Sequence, residues 1–447
     1  AYTERMRIKA SGSIYPVNSI QGTYYGQDAG NPASVTGAGN TSIGYATGQA
    51  LTSGYQNTSV GRSANEKLTI GLNNVSVGTN AGYNNVDGAQ NTYVGTAAGY
   101  TSPGQNYNTF IGYEAGHLNT ANENTGVGRN ALYNNSSGTK NVALGFNSLG
   151  SNTTGNENTG LGYKALGSAT GSENTVVGSQ SAAGAVVTGS GNTSLGRYNL
   201  YPLTSGSYNT AIGHQAGATI STGDANTVVG KNAGNVIGGG SRNSMLGQSA
   251  GIKVSSGADN VAIGYEALYN VTTTGTNVAI GVNALYDFTG SRVVSIGYNS
   301  GVNLVSDVDC VFMGDHAGYG RTAGTDNTFV GAFSNYSAAT GAGNTGFGKA
   351  TGYTLGSGAG NTFVGRQAGY SCESSGYNVM VGHNAGIYNT GTNNIFLGSG
   401  TGTQSGSVDS GTQNILLGFG TNTATTGDGY CIVISTDQDV GKGSSTA

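Results

Sequence analysis

One short phrase, repeated along nearly the whole chain, constrains this sequence more than any other feature. It reads Asn-Thr-x-aliphatic-Gly-x-x-Ala-(Gly or Leu) and is followed by about eight turn-forming residues. Typical copies are Asn57-Thr58-Ser59-Val60-Gly61, Asn91-Thr92-Tyr93-Val94-Gly95 and Asn361-Thr362-Phe363-Val364-Gly365. The anchoring glycines run from Gly44 through Gly61, Gly78 and Gly95 to Gly418. That is 374 residues in 22 steps, or 17 per step. A degenerate copy, Gly22-Thr23-Tyr24-Tyr25-Gly26, precedes them and brings the count to 24. A unit of this size cannot bury a core alone and must stack on its neighbours. It is also too short for a helix pair, and its glycines and β-branched residues are poor helix formers. The expectation is an all-β parallel solenoid, one coil per repeat. Residues 1–21 are expected to form a connecting segment, 22–429 the repeats, and 430–447 a final coil and tail expected to lead to a missing or cleaved module.

We number the coil from its Asn. Position 1 is Asn in 21 of the 24 copies, with Gly22, Val293 and Cys310 as departures. Stacked coils would align these amides in a ladder. Position 5 is Gly throughout, as a tight bend or close backbone approach requires. Positions 2 and 4 lie two apart and share a strand face, which is expected to point into the coil. Position 8, small in nearly every copy, is expected opposite position 4. Position 3 then faces outward. It carries Tyr93, Phe110, Val176, Val228, Met245, Phe312, Phe329, Phe363, Met380, Phe396 and Leu416, and no charge. An uncharged outward stripe implies a partner surface, so these residues are expected at an interface between copies.

Composition excludes several function classes. The 17 basic and 21 acidic residues give a net charge of −4, and no basic run is visible. A nucleic-acid partner, which needs clustered Lys and Arg, is not expected. No apolar run approaches the ~20 residues of a membrane span, so no membrane insertion is expected. The 82 glycines lack a Gly-X-Y triplet, which excludes collagen. Cys310, Cys372 and Cys431 are too scattered for a zinc site or a disulfide framework. His117, His214, His316 and His383 sit in different coils without a recurring acid or thiol and read as surface residues. Gly441-Lys442-Gly443-Ser444 lacks phosphate-loop spacing. No catalytic residue, metal site or cofactor is expected, and the chain is not read as an enzyme.

Tyrosines recur just after position 9: Tyr83, Tyr100, Tyr133, Tyr201, Tyr269, Tyr286, Tyr319, Tyr336, Tyr353 and Tyr370. They could form an outer aromatic ladder. Two roles are open to it: stacking on the faces of host-surface sugars, with Tyr83, Tyr100, Tyr133, Tyr269, Tyr286, Tyr319, Tyr353 and Tyr370 as glycan contacts, or covering the neighbouring coil.

The recurring unit resembles the β-roll of trimeric autotransporter adhesin heads and, more closely, the repeat shafts of tailed-bacteriophage fibres of the cyanophage kind. Glu4-Arg5-Met6-Arg7-Ile8 is similar to the segment that precedes repeats in such fibres. Cys431-Ile432-Val433-Ile434-Ser435 is similar to a last coil before a C-terminal chaperone module. The resemblance implies a homotrimeric β-roll, extracellular and part of a virion, joined to other tail or fibre proteins and serving host attachment. The alternative is a bacterial trimeric surface adhesin or extracellular filament. A monomeric ice-binding solenoid would need a flat outward Thr array, whereas the Thr row at position 2 is expected on the inward face; a polysaccharide-degrading spike would need clustered carboxylates, and the acidic residues here are sparse and unclustered.

Overall fold

Each copy of the repeat lays down a short strand, and within each of two compact units the strands of successive copies pair in parallel. A computed structural model describes residues 5–8, 14–17, 22–30, 35–337, 339–403, 411–422 and 429–434. They form an all-β parallel solenoid of about 23 turns at ~17 residues per turn. The chain divides into two compact units, residues 1–225 and 226–447. In the first, Thr58–Val60 pairs with Val75–Val77 so that Thr58 meets Val75, Ser59 meets Ser76 and Val60 meets Val77. In the second, Thr227–Val229 pairs with Ser244–Leu246 in the same register. The phrase therefore stacks position on position. The first unit opens with an antiparallel hairpin, Arg5–Ile8 with Ile14–Val17, whose first strand joins the first coil at Ile8 and Tyr25. In the second unit Ile432–Ile434 adds a strand beside Ile415–Leu417. Glu4 and the 435–447 tail, with its Gly441-Lys442-Gly443-Ser444 run, lie outside the described residues.

Backbone groups are satisfied between coils. Thr58 N donates forward to Asn74 O at 2.8 Å, Gly61 N backward to Ile43 O at 2.8 Å, and Asn65 N forward again to Ala81 O at 2.9 Å. This alternation needs left-handed residues, such as Ser63 at φ 55° and Asn65 at φ 49°. At position 5 only glycine fits. Gly61 has φ 126°, and a Cβ there would lie 2.6 Å from Gly78 O.

The asparagine ladder forms as the repeat predicts. Asn57 donates its backbone N to Asn40 Oδ1 at 3.0 Å and its Nδ2 to the same oxygen at 3.1 Å. Its Nδ2 also donates to Gly71 O at 2.8 Å. Asn243 and Asn260 repeat the pattern in the second unit. These amides are buried, so each carries donors and acceptors that only its neighbours can satisfy.

The phase of the strand is the reverse of the expected one. Position 3 points into the coil, while positions 2 and 4 point out. Tyr93, Phe110, Val176, Val228, Met245, Phe312, Phe329, Phe363, Met380, Phe396 and Leu416 are all buried within their own chain, Tyr93 at 0% exposure. They are core residues and cannot form an interface between copies. Position 8 is small as expected, but it meets position 3. Ser181 Oγ lies 2.6 Å from Ser194 Oγ, and Ser148 Oγ donates to Gly160 O at 2.8 Å.

The physical reason is volume. Position 3 shares the interior with position 9, and their sizes compensate. Tyr93, Phe110, Phe312 and Phe363 are matched by Gly99, Gly116, Gly318 and Gly369. Gly126, Ala143, Gly160 and Ala262 are matched by Leu132, Leu149, Leu166 and Leu268, all four leucines fully buried. A Cβ on Gly99 would come within 2.5 Å of the Tyr93 ring. The leucines take φ near +50°, Leu149 at 49°. That backbone costs ~1–2 kcal/mol, which burial of a leucine side chain, ~1.5–3 kcal/mol, offsets. Position 12 completes the interior with Leu51, Leu68, Ile237 or Phe288, or with an amide such as Asn152.

This packing gives a reciprocal test. Gly99→Leu should destabilise the chain by roughly 3 kcal/mol or more through overpacking and backbone strain. Adding Tyr93→Gly should recover much of that loss by recreating the Gly160–Leu166 arrangement. Urea unfolding of both single variants and the double variant measures the coupling.

Candidate functional site

With position 3 inside, the surface of the strand belongs to positions 2 and 4. Position 4 is aliphatic or aromatic in every copy and neither position is ever charged. In the first unit Ile43, Ile111, Leu144, Leu161 and Leu195 are exposed; in the second Leu246, Ile263, Met313, Phe347, Val364, Val381 and Leu397 are. Leu195 and Leu246 each show half of their surface. The row continues at position 6 with Tyr45, Tyr113, Phe146 and Tyr163 in one unit and Tyr265 and Tyr298 in the other, all exposed. Phe146 and Tyr163 stack at 5.5 Å. Each unit thus carries a regular apolar stripe, one side chain per coil, larger than the scattered exposed leucines normal on a monomer surface.

The tyrosines at position 10 do stand in ladders. In the first unit Tyr83, Tyr100, His117 and Tyr133 stack in turn at 5.1, 5.0 and 5.1 Å. In the second, Tyr269 stacks on Tyr286 at 4.8 Å. Tyr319, Tyr336, Tyr353 and Tyr370 stack at 5.1, 5.0 and 4.7 Å. Tyr201 is exposed and meets Tyr198 edge-on, at 5.9 Å. His117 is a rung of a ladder, and His316 is held between Asp315 at 2.5 Å and a stacked Phe333 at 5.4 Å. Only His214 and His383 are the exposed surface histidines that the sequence suggested.

The ladders limit what the tyrosines can grip. Inner rungs have their faces covered by neighbouring rings, and Lys67 Nζ lies over the Tyr83 ring at 4.9 Å, Lys253 Nζ over Tyr269 at 5.3 Å. The expected glycan contact, a sugar lying on a ring face, therefore has no open face at the inner rungs. Ring edges and hydroxyls are what remain at the half-buried surface. Glu66 beside Tyr83 raises the pKa of that phenol, and burial raises that of Tyr353.

A third cluster lies inside the second unit. Arg321 Nε donates to Asp307 Oδ2 at 2.6 Å, with both side chains fully buried. Arg321 Nη2 donates to Gly341 O. Asp307 Oδ1 and Arg321 Nη1 have no hydrogen-bond partner. Burial pushes the Asp307 carboxyl up to about 6 despite Arg321, and raises the neighbouring Cys310 thiol. Sequence reasoning passed over this pair, although a signal existed. Arg321 occupies an inward position 12, Asp307 occupies position 15 where glycine is usual, and Val293 and Cys310 interrupt the asparagine row in the same coils. Cys310 Sγ replaces the missing amide weakly, accepting from Asn327 N at 3.4 Å. Cys372 is buried as well, its thiol pushed up to about 12 by burial, so neither buried thiol is activated.

Among the described residues, no group of three or more His, Cys, Asp and Glu side chains could hold a metal ion, and no helix is long and apolar enough to cross a membrane. The fold and its surfaces define a parallel β-solenoid repeat protein. No protein-family model, curated protein or solved structure matches this chain.

The Asp307 carboxyl gives a signed pH prediction. Its folded pKa is raised, so between about 3.8 and about 6 the folded chain binds this proton more tightly than the unfolded chain. Its contribution therefore favours folding below that window and is lost as pH rises through 6. The change is up to roughly 3 kcal/mol. The stability of wild type minus that of Asp307→Asn, followed from pH 4 to pH 7.5, should fall across this interval and be flat above it.

Proposed function

We propose that this chain is the structural shaft of an extracellular fibre, assembled from copies of itself and serving attachment of a tailed bacteriophage to its host. The observation that carries the reading is the outward stripe at position 4. It is apolar in every coil, and it stands on a scaffold whose interior is spent on packing and amide ladders. An apolar row that repeats once per coil fits a surface with the same spacing, and another copy of this chain supplies one. Three copies around one axis, as the resemblance to phage-fibre and adhesin β-rolls implies, would cover the stripe on every copy. The bonding between coils gives stiffness, and threefold presentation would multiply weak contacts at a tip. The apolar row that the sequence analysis sought at position 3 is supplied instead by position 4, with the position 6 aromatics beside it; position 2, expected inward, faces out and is Thr in 14 of the 24 copies, Val or Ile in nine and Ser in one.

Light scattering on the native particle after size exclusion tests this directly. Assembly predicts three times the 44.5 kDa chain mass in an elongated particle; a folded particle of single-chain mass overturns it. Charged substitutions then place the seam. Leu195→Lys and Leu246→Lys together should release single chains whose β circular dichroism is unchanged, because both side chains are outside the coil core. Phe363→Lys, by contrast, should unfold its region, since it buries an unpaired charge.

A further inference from the structure

The tyrosine ladders hold phenol rings parallel, half-exposed and one coil apart, an arrangement with consequences for radical chemistry. Ring centroids are 5.1 Å apart for Tyr83–Tyr100 and 4.8 Å for Tyr269–Tyr286. They are 5.1, 5.0 and 4.7 Å apart along Tyr319, Tyr336, Tyr353 and Tyr370. Interplanar angles run from 5° to 14°. Parallel rings at this spacing bring the edges of successive phenols close to one another. The rings stay on the surface, so a diffusing oxidant or a peroxidase reaches their edges.

We propose that these ladders are sites of oxidative cross-linking, at which a haem peroxidase using hydrogen peroxide joins neighbouring rungs and staples adjacent coils covalently. The peroxidase removes one electron and the phenolic proton from each of two stacked tyrosines. Hydrogen peroxide takes up both electrons and both protons and leaves as two waters. The two phenoxyl radicals, whose unpaired density is high at the ortho carbons, pair to form one carbon–carbon bond. Each coupled carbon then gives up its hydrogen as a proton, and each oxygen regains one. The product is two hydrogens lighter than the starting pair. The bond adds a covalent link where coils are otherwise held by hydrogen bonds and packing. The proposal does not depend on the fibre reading, since both members of every pair belong to one chain.

The ladders also dictate which pairs cannot form. His117 stands between Tyr100 and Tyr133, so these two do not couple. Tyr208 and Tyr377 are each 70% exposed and belong to no stacked pair. They serve as internal references for reactivity that follows exposure alone.

The experiment treats the full chain with a haem peroxidase and hydrogen peroxide at low protein concentration. It reads dityrosine emission and identifies the coupled peptides by mass. The expected result is intrachain coupling at the five stacked pairs, at least tenfold above any product of Tyr208 or Tyr377. Tyr353→Phe keeps a ring in the stack while removing the phenol. It should abolish the Tyr336–Tyr353 and Tyr353–Tyr370 products and leave Tyr319–Tyr336 and Tyr269–Tyr286 unchanged. Coupling that follows exposure, coupling only between molecules, a Tyr100–Tyr133 product, or no coupled ladder pair would each overturn the proposal.

Discussion

Everything in this fold rests on the bonding between one coil and the next. Within a coil the backbone makes few hydrogen bonds; its N–H groups point alternately forward and backward, and the neighbours complete them. That arrangement fixes the rise at one strand spacing and places each side chain over its counterpart. Once this is so, any residue type that recurs in sequence becomes a column in space. Asparagines become an amide ladder, tyrosines a stack of rings, and aliphatic residues at position 4 a stripe. The chemistry of the surface follows from the periodicity of the backbone.

Much of this was legible in the sequence. The 17-residue period named the architecture, and buried Asn57, Asn74 and Asn91 bond as a stacked row must. Position 5 was read as a glycine-only bend, and Gly61 bears that out. What the sequence reading missed was which face of the strand is inside. Alternation groups positions 2 and 4 together but does not say toward which side they point, and a one-residue change of phase exchanges the faces completely. Here both faces mix apolar with uncharged polar residues, so hydrophobicity could not decide. The uniform Val, Ile and Leu at position 4 resembled a core, while the wide range at position 3, from Gly126 to Tyr93, resembled a surface.

The deciding clue lay in pairs of positions. A surface residue can vary in size without consequence, whereas an interior residue can vary only if another gives way. Phe110 goes with Gly116, and Gly160 goes with Leu166. Such matched swaps mark a shared, closed volume. The Asp307–Arg321 pair was hidden for a different reason. Two charges at isolated positions read as solvated, and only the observation that position 12 faces inward turns them into a buried ion pair. Such pairs contribute little net stability, because desolvation opposes their attraction. Its place beside the two gaps in the asparagine row makes this the chemically least regular stretch of the second unit.

The amide ladder also bears on how the protein ages. In a flexible chain an asparagine side chain is lost when the next residue's backbone nitrogen attacks it, closing a five-membered imide that later opens to an acid. Along the coils that nitrogen is already engaged: Thr58 N is bonded to Asn74 O, and Thr92 N to Asn108 O, both at 2.8 Å. The extended strand and the double hold on Nδ2 at residues such as Asn57 and Asn74 keep the attacking and attacked atoms apart. If the chain were unfolded, the 21 asparagines of its repeat row would all be open to this loss, slowed only by the β-branched residue that follows most of them. Stacked into coils, those residues are protected, and the durability of the folded chain is set by the same geometry that specifies its shape.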